Sequence, residues 1–102
     1  MKYVVLDSFK ADYQRLSDTE RGLLNKGLAT FVAACDRYAA DPATPWPASL
    51  RVKSVERAPG ILEMTWSFSG PDGRATFEWI QLDGALAVRW RRIGLHRILR
   101  AP

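Results

Sequence analysis

Apolar and polar positions recur along this chain with two different periods, and the change from one to the other divides it. Up to Ala40 the spacing is helical. Leu24, Leu28, Phe31, Cys35 and Tyr38 follow one another at steps of four and three, which places them on one stripe of a long helix. Ser17-Asp18-Thr19-Glu20 has the form of a capping box at its start, the Ser17 hydroxyl accepting a first-turn N–H while Glu20 reaches back. Asp41-Pro42 ends the helix, because a residue before proline is pushed out of the α region. Gly27, inside it, costs about 0.5–1 kcal/mol relative to alanine and is expected where the helix comes close to a sheet. Ahead of this helix, Phe9, Tyr13 and Leu16 share one face of a short helix over 8–16. The segment from Lys2 to Leu6 is rich in β-branched and aromatic residues and reads as a short strand.

Beyond a stiff proline-containing linker, PATPWP, in which Trp46 is expected to pin to the body, the period becomes two. LRVKSV (50–55) alternates with Leu50 and Val52 on one face and Arg51 and Lys53 on the other. After an Ala58-Pro59-Gly60 turn, Ile61 to Phe68 puts Leu62, Met64, Trp66 and Phe68 on one side and Glu63, Thr65 and Ser67 on the other. Residues 69–73 read as a loop. Two longer strands, Arg74 to Leu82 and Ala85 to Ile93, flank Asp83-Gly84, a strong signal for a two-residue type I′ hairpin. Gly94 ends the last strand. The expected fold class is therefore α+β: a short N-terminal strand, a helical pair, then a twisted antiparallel sheet of about four strands packed on the helices, all in one domain over 1–102.

The hairpin fixes register. Leu82 faces Ala85, Trp79 faces Val88 and Phe77 faces Trp90, so the large apolar pairs share the core face, and Trp66, Trp79 and Trp90 read as core. On the other face Glu78 meets Arg89 and Thr76 meets Arg91, and Arg74 falls opposite Ile93. The chain would then leave the sheet at Gly94-Leu95-His96 beside Arg74, and Arg74, Arg91 and His96 converge at one end of the polar face. A bulge would shift this pairing by one.

Charge sharpens the reading. Residues 1–50 carry six Lys/Arg and six Asp/Glu, whereas residues 51–102 carry nine against five, eight of the nine being arginine. The whole excess of +4 thus lies in the second half, and arginine's planar fork suits bidentate phosphate contacts. An anionic partner, nucleic acid or an acidic protein segment, is one consequence; a solubilising face is the other. The single Cys35 excludes an internal disulfide and a cysteine-based zinc site, and one histidine with scattered carboxylates does not make a metal ligand set, so no metal or other cofactor is expected. No apolar run is long enough for a membrane helix and the first residues do not resemble a signal peptide, which points to the cytoplasm. There is no nucleophile motif and no glycine-rich phosphate loop.

An arginine pair can hold a phosphate and stabilise the extra charge of its transition state, and a histidine can move a proton near neutral pH. That composition suits RNA cleavage in which the RNA supplies its own 2′-OH nucleophile. Arg74 is read either as this phosphate ligand or as a structural partner of Glu63 or Glu78. His96 is read either as a proton carrier or as a half-buried structural residue.

LRVKSV (50–55), PGILEMTW (59–66), GRATFEW (73–79) and VRWRRIGLH (88–96) resemble, in order and spacing, the successive core strands of the RelE/ParE superfamily of bacterial toxins. The likeness covers nearly the whole chain, and the I-G-x-H ending is similar to members whose last strand runs into a G-x-H segment. The resemblance implies the toxin of a type II toxin–antitoxin pair, a metal-independent, ribosome-dependent mRNA endoribonuclease that inhibits translation. It also implies a cognate antitoxin that silences the toxin and through which the complex binds its own operator DNA. Carried over to matching positions, Arg74 would meet the scissile phosphate and His96 would protonate the leaving 5′ oxygen; Arg91, which the hairpin register brings to the same end of the sheet, would make the arginine pair with Arg74. Arg51, Lys53, Arg57, Arg92 and Arg97 would contact RNA, with mRNA on the ribosome as the partner. Where RelE itself has two third-strand lysines this chain has Glu63 and Thr65, and Ile98, Leu99 and Arg100 stand where many active members carry a final aromatic residue. Glu63 either replaces lysine as the base or pairs with an arginine. The other readings of the same fold are a ParE-like binder of DNA gyrase and an inactive relic that only binds its antitoxin.

Overall fold

The computed structural model describes residues 1–66 and 73–102, with His96 described by its backbone alone. The chain runs β1 (Tyr3–Val5), α1 (Asp7–Gln14), α2 (Asp18–Ala40), a 3₁₀ turn (Ala48–Leu50), β2 (Lys53–Ser54), β3 (Leu62–Thr65), β4 (Arg74–Leu82), β5 (Ala85–Gly94) and a C-terminal 3₁₀ helix (His96–Arg100). The α+β class is as the sequence predicts. The sheet differs: it has five strands in the order β1-β5-β4-β3-β2, and β1 lies parallel to β5, so the sheet is mixed rather than purely antiparallel. Among the described residues no helix is long and apolar enough to cross a membrane.

The helical half follows its periodicity closely. The Ser17–Glu20 capping box forms both of its hydrogen bonds, and Asp41 leaves the helix in an extended conformation before Pro42. Leu24, Phe31 and Cys35 of the predicted stripe are buried against the sheet. Gly27 explains the close approach: a Cβ there would press to 3.3 Å from the Trp66 Cβ. On the other side of the same tryptophan, a methyl group at Gly73 would overlap the ring. Trp66 is therefore clamped between two glycines, and its indole N–H donates to the Arg74 carbonyl at 3.0 Å.

Trp46 completes the core on that face. Its ring stacks on Phe31, Tyr38 and Trp79 with centroids 5.5, 5.7 and 6.1 Å apart, so the proline linker is pinned as its sequence suggests. Phe31 is the hub, with its ring also against Phe77 and Trp90, both at 4.9 Å.

Two elements depart from the expected pattern. The alternation over 50–55 predicts a six-residue strand, but only Lys53–Ser54 pairs. Arg51 sits in the left-handed region with φ 48°, which a strand cannot pass through, and Leu50 reaches the core from the preceding 3₁₀ turn instead. In β3, Ser67 and Phe68 lie outside the described residues, as does most of the 69–73 loop. The remaining polar positions, Glu63 and Thr65, are only 4% and 2% exposed. The C-terminal 3₁₀ helix and the tail lie over the second face of the sheet, so that face is covered too.

The hairpin turns as expected, with Asp83 and Gly84 both at positive φ (53° and 78°). Pairing from Leu82↔Ala85 to Phe77↔Trp90 keeps the predicted register. A bulge between Thr76 and Phe77 then shifts it, so Thr76 faces Arg92 and Arg74 faces Gly94, one residue beyond the straight extrapolation. The bulge falls where β1 ends and α1 begins. There α1 takes over the role of a neighbouring strand: the Ser8 hydroxyl donates to the Arg91 carbonyl at 2.6 Å, and the Ile93 N–H donates to Asp12 at 3.1 Å.

Candidate nucleic-acid interface

Six of the eight arginines of the second half fall into two groups. In the first, each guanidinium is held by the protein. Arg89 and Arg91 share Glu78, at 3.0 and 2.7 Å. Arg91 also donates to the Pro102 carbonyl at 3.0 Å. Arg92 makes a two-pronged contact with Asp12 at 2.6 and 3.2 Å and donates to the Ala101 carbonyl. The hydrogen bond to Asp12 raises the Arg92 pKa above its already high ordinary value, against the lowering effect of burial. The Thr76 hydroxyl accepts the Arg92 N–H and donates to the Pro102 carbonyl, so the tail is tied to the centre of this face.

In the second group are Arg57, Arg97 and Arg100. All three are exposed, and none makes an ion pair or side-chain hydrogen bond among the described residues. They line one cleft of about 790 Å³ together with Lys53, Glu56 and Glu63. The cleft lies between the β2–β3 edge and the C-terminal 3₁₀ helix. The chain reaches it from one side through the left-handed turn at Arg57 (φ 63°) and from the other through the 3₁₀ helix, where residues three apart share a face.

Glu63 lies at its floor. Its carboxylate is 3.8 Å from Lys53 Nζ and 3.7 Å from Arg74 Nε. Arg74 is thus held by Glu63, the first of its two structural partners considered above, and also donates to the Gly73 carbonyl at 3.3 Å. Arg91 turns to Glu78, farther along β4, and does not join Arg74. The expected convergence of Arg74 and Arg91 is undone by the bulge, which redirects Arg91 into the Glu78 and tail network. The backbone of His96 lies two residues past Gly94, the partner of Arg74; its side chain lies outside the described structure.

Of the five expected RNA contacts, Lys53, Arg57 and Arg97 converge on the cleft. Arg51 is not among its lining residues, and Arg92 is committed to Asp12. Arg100 was missed, although its spacing of three from Arg97 in a 3₁₀ segment carries the signal. Asp12 was missed as well: it lies three residues from Phe9 and four from Leu16, on the apolar face of α1, where a carboxylate needs a buried partner.

A second concavity, of about 530 Å³, opens between α1, α2 and β1. It is lined mainly by apolar side chains, and its lips carry Val32 and the 65% exposed Tyr3. Among the described residues, no three His, Cys, Asp or Glu side chains come together as a metal site. Comparison with protein-family models, with curated proteins and with solved structures returns no match.

Proposed function

We propose that this protein is the toxin of a type II toxin–antitoxin pair and acts as a metal-independent, ribosome-dependent mRNA endoribonuclease of the RelE/ParE kind. The observation that carries the reading is the cleft, where three guanidiniums with no ion pair or side-chain hydrogen bond among the described residues lie beside Glu63, which in turn holds Arg74. Arginines without a partner among the described residues, beside others that are paired, fit a site kept for an external anion. In this reading the 2′-OH of one nucleotide attacks the adjacent phosphorus, the P–O5′ bond breaks, and the leaving 5′ oxygen takes a proton. Glu63 accepts the 2′-OH proton, Arg74 meets the phosphate, and His96 supplies the proton to the leaving group. Lys53, Arg57, Arg97 and Arg100 hold the flanking backbone. The apolar groove beside Tyr3 and Val32 is the surface that suits the antitoxin.

The test is cleavage of mRNA on programmed ribosomes, mapped by primer extension, for the native protein and for Arg74→Ala and His96→Ala. A-site cuts that fall by at least about 10²-fold in both variants are the expected result. Intact mRNA from a protein that still arrests growth would sink the nuclease reading and favour a topoisomerase poison.

A further inference from the structure

Resting on the RNA-binding reading of the cleft, we infer that it recognises the phosphate backbone of single-stranded RNA and not its bases, so that the protein's own RNA binding is indifferent to sequence. The lining supplies four cations, Lys53, Arg57, Arg97 and Arg100, against two carboxylates. Glu63 is paired with Lys53 and Arg74 at the cleft floor. Among the described lining residues there is no aromatic ring to stack a base and no Asn or Gln amide to read one. Phosphate contacts fix position and strength, whereas base contacts carry sequence information; with no ring or amide in the described lining to orient a base, these cations are suited to phosphates.

Arg57 supplies the second line of argument. It holds φ 63°, a conformation that favours glycine and strains a residue with a Cβ. Its guanidinium has no partner among the described residues to repay that strain. A charged side chain kept in a backbone position that suits glycine fits a contact made outside the chain.

The measurement is fluorescence anisotropy with equal-length oligomers of uridylate, of cytidylate and of abasic ribose phosphate, each across a salt series. The expected result is affinities within about threefold of one another, with log Kobs falling against log salt at a slope of about −2 to −3. That is the single-strand value for three to four neutralised phosphates. Arg57→Gly, Arg97→Ala and Arg100→Ala should each make the slope shallower by about 0.7, and Arg37→Ala, on the exposed side of α2, should leave it unchanged. Arg57→Gly relieves the backbone, so its melting temperature should not fall below that of the native protein. A preference above about tenfold among the oligomers overturns the inference alone, because bases are then being read. Absence of binding to all three at low salt overturns the inference together with the cleft's role in holding RNA. Cleavage on ribosomes is read separately.

Discussion

The two faces of one sheet are closed by different means. On one, a 23-residue helix lays an apolar stripe across Phe77, Trp79 and Trp90, and the contacts are rings and methyl groups. On the other, a five-residue 3₁₀ helix and a short tail are held by arginines, Thr76 and two carboxylates. Apolar packing is nondirectional and tolerates small shifts, while a carboxylate–guanidinium contact depends on geometry and loses its value if one partner leaves. The first face therefore supplies most of the cohesion. The second supplies a defined arrangement in which some cations are fixed and others make no ion pair or side-chain hydrogen bond among the described residues.

That contrast can be broken from either side. Phe31→Ala removes the hub of the helix-covered face and should cost about 3–5 kcal/mol, read as a lower midpoint in chemical denaturation with the same slope. Asp12→Ala strands the Arg92 guanidinium and the Ile93 N–H and should cost about 3 kcal/mol. A loss under about 1 kcal/mol would mean that α1 is not needed to close the β5 edge. Glu78→Gln breaks two pairs that are partly open to solvent, and no more than about 1 kcal/mol is expected by the same method. A cost equal to that of Asp12→Ala would make the whole polar face one cooperative network.

The smallest effect lies on the helix-covered face. Burial, with Asp36 adding to it and the N-terminal amine opposing it, pushes the Cys35 thiol up to about 12 from 9.0. The folded state holds that proton more tightly than the unfolded state, so the associated stability is complete below pH 9 and is lost as pH rises toward 12. Cys35→Ala should lose less stability over that interval than the native protein does. In the native fold the thiol should resist alkylation near neutral pH, followed by mass spectrometry; rapid labelling would show that α2 lifts away from the sheet.

What was legible in the residues divides along the same line. The capping box, the α2 stripe, the Asp83-Gly84 turn, the Glu78–Arg89 pair and the closeness implied by Gly27 are local rules or simple periods. They needed no knowledge of the rest of the chain. The bulge at Thr76 was not legible, because it is stabilised by Asp12 and Ser8 from a helix about 80 residues earlier. Nor was the burial of Glu63 and Thr65, since alternation identifies two faces but not what lies over the second. The strand predicted over 50–55 failed at a single backbone angle, at Arg51. For the cleft, composition pointed to the half of the chain whose residues line it. Which arginines are paired depended on the placement of Asp12, Glu78 and the tail, and no spacing rule encodes that.

The parallel pairing of β1 with β5 has a consequence for synthesis. Tyr3 meets Val88 and Val5 meets Trp90, so the first strand to leave the ribosome waits for the last one to finish the sheet. Until then α1 has no edge to cap, Asp12 has no guanidinium, and Arg97 and Arg100 have no platform on which to form their side of the cleft. Contacts of such long sequence separation make folding slow. The nascent chain should therefore acquire this basic cleft all at once and late, only after the strand that carries Arg92 has emerged.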